Sequence, residues 1–446
     1  MVCLKSKLSL VILLLLAAAA AGDTPPQELL AQYVSKPDPS YRWRVLCATR
    51  YADGNYAELL MVSQTWHGLV WRHHLFIIRP DNTPASIHSA ALFITGGHWS
   101  AQDKTTPTAG CRHKPDAGVY LGLAAALHMP LAVLKQVPEE PLFGDKTEDA
   151  LIAYSFQKYL ATRDSSWPLL MPMVNSAVRA MDTVQAYTRE RWQSEIRDFM
   201  VFGVSKRGWT TWLTAAVDPR VKAMAPMSFS MLDMPQQLRL QHDLWGRLSS
   251  QIADYSRTDL TEKVQAGQAH GLMQLVDPWN YRNKIHQPKL VVDGTNDPYW
   301  PVVSANIYWP SLAGDKYLLY LPNNGHDPTD YRRLFADLAA LAYQMNNGTP
   351  LAKLHWRFIR HAGHIQLRLW SNVAPDRVRI WRAYSMTHDF RKSLWLKIPV
   401  FCRPLACNYT LKIPKNLHMA VFGETQYPGP GHHDYYLSTQ VWAGGP

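Results

Sequence analysis

The sequence predicts an α/β fold, with a mostly parallel sheet and helices on both faces, followed by a small C-terminal antiparallel β-sandwich. Between residues 57 and 345, apolar strand-like runs alternate with helical stretches, which is the pattern of such a sheet. Several runs, residues 89–95 among them, are continuously apolar, as expected of strands buried on both faces. From about residue 351 the runs become short and often alternate in polarity between Pro, Gly and Asn, which is typical of a β-sandwich.

The first 22 residues are expected to form a secretory signal peptide. Lys5 and Lys7 precede an apolar run, residues 8–21, that ends in alanines. An uncleaved membrane anchor is the alternative, although the run is short for a membrane span. After cleavage we expect a secreted or extracellular protein, periplasmic in a bacterium, without a stable membrane span.

The remaining chain is long enough for two domains. The 446 residues exceed one ordinary domain. We expect an α/β domain over residues 23–350 and a β-sandwich over residues 351–446. The polar stretch at residues 346–350 is the expected linker.

Apolar runs and the turn residues that bound them predict the individual elements. Strands of the first domain are predicted at 57–66, 69–78, 89–95, 131–136, 198–201, 221–227, 288–294 and 316–321. Helices are predicted at 118–128, 147–161, 172–191, 210–216 and 331–345, with an irregular helical cap over a cleft at 234–276. Thr147, followed by Glu148 and Asp149, is typical of a helix N-terminus. The sandwich strands are predicted at 355–359, 364–370, 377–384, 394–398, 409–413, 418–422 and 435–442.

The chain is basic, and its charge is spread along the sequence. Loss of residues 1–22 lowers the formal net charge from +11 to +9, because Lys5 and Lys7 leave with them. This balance permits attraction to acidic glycans, anionic lipid headgroups, an acidic substrate or another cell-surface target. The sequence contains no nucleic-acid recognition motif, so nucleic acid is not an expected partner. No metal and no other cofactor are expected.

The cysteines favour two disulfides. Cys3 leaves with the signal peptide, and the other four form an early pair, Cys47 and Cys111, and a late pair, Cys402 and Cys407. An even number in a secreted chain favours one disulfide in each half. Zinc is the alternative for the late pair, although a second pair of ligands does not stand nearby.

Ser205 lies on a strand-to-helix turn with the spacing of a nucleophile elbow. The apolar run at 198–201 precedes it, and the helical stretch at 210–216 follows it. Gly203 and Gly208 flank the serine, as expected where the turn strains the serine backbone and leaves little room.

Asp297 and His326 complete a possible triad with Ser205. Each of the three follows a predicted strand, and the ends of parallel strands meet at one edge of the sheet. The order Ser, Asp, His is that of α/β-hydrolases, so the fold is expected to be α/β-hydrolase-like. Ser205 would be the nucleophile, His326 the base, and Asp297 the group that orients the imidazole. Asp293, within a strand, and Asp233, after the preceding strand, are rival acids.

The oxyanion hole is expected to use the backbone N–H of Lys206, the residue after the nucleophile. The second donor is expected from Gly96, Gly97 and His98, which follow an early strand. A simple tight turn at the two glycines is equally compatible with the sequence. His98 as a second base is a further alternative.

Lys206 and Arg207 place two cations beside the nucleophile. They could bind a carboxylate of the substrate, which makes them candidate substrate-binding residues. Alternatively, they face solvent or anchor a neighbouring acid such as Asp218.

Residues 205–221, from the elbow through the following helix, resemble the PhoPQ-activated pathogenicity-related protein family, which includes autocrine proliferation repressor proteins of amoebae. Other segments that resemble this family are 96–99, 136–138, 147–154, 389–391 and 437–439. The resemblance implies an exported α/β-hydrolase-like protein with an added β-sandwich, linked with virulence in bacteria or secreted growth signalling in amoebae. It leaves the substrate open. The elbow is also similar to that of glucuronoyl esterases, which implies that Lys206 assists at the oxyanion.

Two functions are therefore expected as alternatives. The first is a secreted serine hydrolase, an esterase rather than a peptidase, acting on a small-molecule or glycan-linked ester. The second is a secreted signalling or binding protein that keeps the hydrolase fold without needing turnover.

Overall fold

The computed structural model describes residues 25–51, 53–99, 114–403, 405–429 and 434–445. The predicted signal peptide and Cys111 lie outside the described residues. The secretion of the protein and the pairing of Cys47 with Cys111 therefore stay predictions. No helix within these ranges has both the length and the apolar character that crossing a bilayer requires.

A nine-stranded sheet forms the centre of the molecule, in the order β1-β2-β3-β5-β4-β6-β7-β8-β9. Its strands are β1 Arg42–Tyr51, β2 Gly54–Trp66, β3 Leu69–Pro80, β4 Ser89–Ile94, β5 Leu131–Leu134, β6 Asp198–Val204, β7 Val221–Met227, β8 Lys289–Gly294 and β9 Lys316–Leu321. Strands β1 to β3 pair antiparallel, β3 pairs antiparallel with β5, and the other pairs are parallel. The predicted mostly parallel sheet is confirmed.

Strand β1, Arg42–Tyr51, was not predicted from the sequence. It is the outermost strand and pairs on one side with β2. Most of its side chains are exposed or half-buried. Charged and polar residues are common on such edges because they discourage pairing with other chains, and they also remove the apolar signal.

Helices cover both faces of the sheet. They are α1 Pro26–Ser35, α2 Lys114–Leu127, α3 Glu148–Thr162, α4 Leu170–Trp192, α5 Lys206–Val217, α6 Met234–Trp245, α7 Ala253–Ser256, α8 Leu260–Gln265, α9 His270–Val276, α10 Ala305–Tyr308 and α11 Tyr331–Asn347. In β6, Phe199 and Val201 belong to one apolar core, and Met200 and Phe202 belong to the core on the opposite face. This alternation explains the continuous apolar runs, since each face of the strand is buried.

The C-terminal strands form two antiparallel sheets, as predicted. They are β10 Leu354–His361, β11 His364–Ser371, β12 Arg377–Ser385, β13 Leu396–Val400, β14 Ala406–Lys412, β15 His418–Tyr427, β16 Tyr435–Ser438 and β17 Trp442–Gly444. One sheet has the order β10-β11-β14, and the other has β13-β12-β15-β16 with β17 beside β15. A separate apolar core includes residues of both sheets, such as Leu367 and Val421. The run predicted as one strand at 435–442 is two strands.

The sandwich is in contact with the α/β domain. Ser438 Oγ of β16 accepts from the backbone N–H of Tyr320 in β9 at 2.9 Å. Asp337 of α11 accepts from the N–H of Tyr436 at 2.7 Å. These bonds attach β16 to β9 and to α11. The domain boundary at residue 350 stays a prediction.

Cys402 and Cys407 form a disulfide, which confirms that prediction and excludes the zinc alternative for this pair. Both cysteines lie in or next to the sandwich strands, Cys407 within β14. The bond closes the short connection that precedes β14.

Candidate active site

Ser205 occupies a strained turn between β6 and α5. Its φ angle is 59°, in the left-handed region that a non-glycine residue rarely adopts. A side chain at Gly203 would meet the backbone of Arg207 at 2.7 Å, and one at Gly208 would meet the Met227 carbonyl oxygen at 2.7 Å. The two glycines are therefore required by the close approach of the turn to its own helix and to β7, as the sequence suggested.

Gly208→Ala should destabilise the protein by about 1–3 kcal/mol, because the new methyl group meets backbone atoms that must move. The free energy of unfolding in denaturant measures this loss. The matched control is Gly122→Ala in α2, where an added Cβ meets nothing within 4 Å. The control should stabilise the helix by up to about 1 kcal/mol. Equal effects at both glycines would contradict the steric account of the elbow.

Ser205, His326 and Asp297 form a continuous chain of hydrogen bonds. His326 Nε2 lies 2.8 Å from Ser205 Oγ, and His326 Nδ1 lies 2.8 Å from Asp297 Oδ2. Asp297 Oδ1 accepts from the N–H of Tyr299 at 2.7 Å, and the Tyr299 ring stacks on the imidazole at 4.0 Å. The Asp297 carboxylate is buried. Asp297 thus holds the Nδ1 edge of the imidazole, and the Tyr299 ring packs on one of its faces.

The two rival acids do not contact the histidine ring. Asp293 accepts a hydrogen bond from Ser230, whose hydroxyl also lies 2.9 Å from Tyr308 Oη. Burial raises the pKa of Asp293 to about 7, and the nearby charge of Asp297 adds to this. Asp233 accepts from the side-chain amide of Gln236. Asp297 is therefore the acid that the structure brings to His326.

The expected oxyanion donors lie around the start of α5. The backbone N–H of Lys206 belongs to the first turn of the helix, where N–H groups have no intrahelical acceptor. Gly96 packs against the guanidinium of Arg207. The loop of residues 96–98 after β4, called the early loop below, therefore lies beside α5, the elbow helix. Gly97 has a φ of 118°, which a residue with a side chain rarely adopts. The loop geometry is compatible with the expected role, which stays a prediction.

The side chains of Lys206 and Arg207 are buried and paired with protein carboxylates. Arg207 donates to both oxygens of Glu148 at 2.8 Å. Lys206 Nζ lies 3.0 Å from Asp149 and 3.2 Å from Glu148. The structure favours anchoring over recognition of a substrate carboxylate. The anchoring acids differ from the expected Asp218, which pairs with Arg220 at 2.7 Å.

Glu140 and Glu148 connect the early loop to the elbow helix. Glu140 accepts from the N–H of Glu148 at 2.7 Å, and its other oxygen lies 3.2 Å from His98 Nδ1. Thr147, the expected cap of α3, makes no side-chain capping bond, so Glu140 serves this helix end instead. His98 therefore faces Glu140, and its alternative role as a second base stays a prediction.

Opposite pKa shifts accompany this pairing. Burial and the charge of Glu148 raise the pKa of Glu140 to about 7. Burial alone would also raise the pKa of Glu148, but the hydrogen bonds and charges of Arg207 and Lys206 outweigh it and lower the pKa to about 2. Glu148 is consequently the ionised partner that holds both cations.

Two asparagines attach the triad loops to the sandwich. Asn296 donates to the carbonyl oxygens of Arg391 and Ser393 at 3.1 and 2.8 Å. Asn323 exchanges two hydrogen bonds with the backbone of Trp395, at 3.0 and 2.8 Å. These contacts could not be predicted from the sequence, because they join segments far apart in the chain.

Residues 30–391 match the profile of a family described as PhoPQ-activated pathogenicity-related protein. Autocrine proliferation repressor protein A of Dictyostelium discoideum is 26% identical over 388 residues, 81% of this chain and 76% of that protein. An acetyl xylan esterase from Thermoanaerobacterium sp. is 16% identical and has a TM-score of 0.49, with 71% of this chain and 92% of that chain covered. An acetyl xylan esterase from Paenibacillus sp. R4 is 15% identical and has a TM-score of 0.45, with 68% of this chain and 88% of that chain covered.

Proposed function

This chain belongs to the PhoPQ-activated pathogenicity-related protein family, and we propose that it is a secreted serine hydrolase acting on a carboxylic ester. The observation that carries the proposal is the unbroken hydrogen-bond chain from Asp297 through His326 to Ser205. The strained φ of Ser205 supports it, because such strain concentrates at functional sites. The catalytic roles below are part of this proposal.

His326 activates the serine. As Ser205 Oγ attacks the carbonyl carbon of the ester, His326 Nε2 accepts the hydroxyl proton over the 2.8 Å contact. The Nδ1–H donates to Asp297, which holds the neutral tautomer and then stabilises the imidazolium. The imidazolium next gives its proton to the departing alcohol, which leaves the acyl group on Ser205. A water molecule, activated by the same nitrogen, then releases the acid.

The oxyanion of the tetrahedral intermediate is stabilised by backbone donors. The N–H of Lys206 at the start of α5 is one donor, and the loop of Gly96, Gly97 and His98 supplies the other. The helix dipole of α5 adds positive potential at this end. The Lys206 and Arg207 side chains act indirectly, since their pairing with Glu148 fixes the start of α5 against the start of α3.

A fluorophosphonate probe tests the proposal. Purified wild-type protein should become covalently labelled at Ser205, because the probe reacts with an activated serine hydroxyl. Ser205→Ala should abolish the label, and heat-denatured wild-type protein, which lacks the triad geometry, should remain unlabelled. Folded wild-type protein that never labels would overturn the proposal.

Secretion is part of the same proposal and has its own test. Residues 1–22 would be removed as a signal peptide, so the mature protein should begin near Asp23. Mass spectrometry of the N-terminal peptide from protein expressed in its host checks this. A mature chain that still contains Lys5 and Lys7 contradicts it.

The second candidate is a secreted signalling protein that does not need turnover. It is supported by the name of the amoebal relative, a repressor of proliferation, which is 26% identical to this chain. Full activity of Ser205→Ala protein in a cell-proliferation assay would favour this candidate over the hydrolase.

A further inference from the structure

We propose that the ester cleaved at Ser205 carries a short apolar acyl group, which occupies a cavity beneath the helical cap. The inference rests on the proposed hydrolase function and deepens it by naming the class of substrate. The cavity touches Ser205 and is covered by α6 to α9. Its lining includes residues from each of these four cap helices and from α3 and α5.

Most of the cavity wall is apolar. Trp209 of α5 stacks on Phe229 at 5.0 Å, and Phe156 meets Trp209 edge-on at 5.9 Å. The cap contributes further apolar side chains to the lining: Met234, Leu238, Ile252, Leu260, Val264 and Met273. Because such a surface offers few hydrogen bonds, it favours a hydrocarbon group over a sugar or a peptide backbone.

The charged groups of the lining are already paired with each other. Lys206 Nζ lies 3.0 Å from Asp149 Oδ2, and Tyr255 donates to Asp149 Oδ1 at 2.8 Å. A carboxylate or ammonium group entering the cavity would have to displace one of these partners and lose its own hydration. The bound group is therefore neutral as well as apolar.

The acyl half of the ester fits this position better than the alcohol half. His326 must protonate the departing alcohol and later activate water, yet it is not among the described residues that line the cavity. The departing alcohol must lie beside His326 Nε2, which is 2.8 Å from Ser205 Oγ. The alcohol leaves on the side of His326, while the acyl group remains bound to Ser205 and occupies the apolar cavity, which excludes water from it.

The size of the cavity limits the acyl chain. Its volume is about 80 Å³. An apolar cavity of about 150 Å³ accepts a benzene ring, so by proportion this one holds roughly three hydrocarbon carbons. An acyl group of about four carbons, counting the carbonyl carbon, is the expected optimum.

A series of p-nitrophenyl esters from acetate to octanoate tests the inference, because the leaving group stays constant. Each methylene that enters the cavity adds about 0.8 kcal/mol, or about fourfold in kcat/KM. From acetate to butyrate the gain should be roughly 15-fold, and beyond butyrate kcat/KM should stop rising.

Variants of the lining separate the cavity from the general hydrophobicity of the esters. Met273→Ala enlarges the cavity and should move the optimum to a longer chain, whereas Val264→Phe fills it and should favour acetate. Leu272→Ala is the matched control, since Leu272 is also buried in α9 and is not among the residues that line the cavity. The control should lower stability and keep the wild-type chain-length profile.

The outcomes distinguish a failure of the acyl-pocket inference from a failure of the proposed hydrolase function. If Ser205 labels with a fluorophosphonate but the profile is flat, or is the same in wild type, Met273→Ala and Val264→Phe, then the acyl pocket is wrong and the hydrolase stands. If Ser205 never labels and no ester is hydrolysed, both are overturned. Opposite shifts in the two lining variants support both.

Discussion

Asp297→Asn should lower kcat for hydrolysis of a p-nitrophenyl ester by about four orders of magnitude. The asparagine keeps the shape of the side chain, but its amide is neutral and has only one acceptor oxygen. It therefore cannot replace both carboxylate oxygens, which accept from the Tyr299 N–H and from His326 Nδ1–H. His326 is then held in the wrong tautomer or left mobile, and no longer accepts the proton of Ser205. Steady-state kinetics with p-nitrophenyl butyrate measures the loss of kcat. The unfolding midpoint of Asp297→Asn should differ little from that of the wild type.

Asp293→Asn is the matched control for this prediction. Asp293 is also buried, near the end of β8, the strand that Asp297 follows, but it binds Ser230 rather than His326. We expect kcat to stay within about tenfold of wild type, since a hydrogen-bonding side chain remains. If Asp293→Asn loses more activity than Asp297→Asn, the assignment of the acid is wrong.

Glu148→Gln should have the largest effect on stability, about 3 kcal/mol at neutral pH. The change leaves the buried guanidinium of Arg207 without its bidentate partner and removes one of the two acids near Lys206. The value lies at the lower end for a broken buried pair, because the Glu148 side chain is 35% exposed and partly screened. Urea unfolding of both proteins measures the difference.

The pH dependence of this difference follows from the lowered pKa of Glu148. The folded-state pKa of about 2 lies below the ordinary pKa of 4.5 for a glutamate, so ionised Glu148 stabilises the fold above pH 4.5. This contribution disappears as the pH falls toward 2. The gap between wild type and Glu148→Gln should therefore narrow over that range.

The control pair is Glu195 and Arg197, which lie 2.6 Å apart at the surface. Glu195→Gln should cause no measurable change in unfolding, because an exposed pair is screened by solvent. A loss for Glu148→Gln no greater than for Glu195→Gln would contradict the proposed role of Glu148.

The fold, and the approach of Ser205, Asp297 and His326 to one another, could be predicted from the sequence because their signals are local. Ser205, Asp297 and His326 each follow an apolar strand, and parallel strand ends meet at one edge. The strand bounds at 221–227 and 316–321 were predicted as observed, since both runs are buried on both faces.

The partners of Lys206 and Arg207 could not be predicted in the same way. Arg207 and Glu148 are 59 positions apart, and an acid near a helix start has several ordinary explanations. Glu148 was expected to favour the N-terminus of its own helix, and only the packing of α3 against the elbow gives it a second role. Pairings of this kind depend on tertiary distance, which a linear pattern does not contain.

The asparagine contacts of Asn296 and Asn323 limit how the two regions of this protein can be recombined. Each residue stands within three positions of a triad member and binds backbone of the sandwich, at Arg391, Ser393 and Trp395. Backbone carbonyls are common to all sequences, so the sandwich can diversify its side chains freely while its path near these residues stays fixed. A chimera that joins this α/β domain to a foreign β-module should lose the alignment of Asp297 and His326 unless the graft reproduces that path.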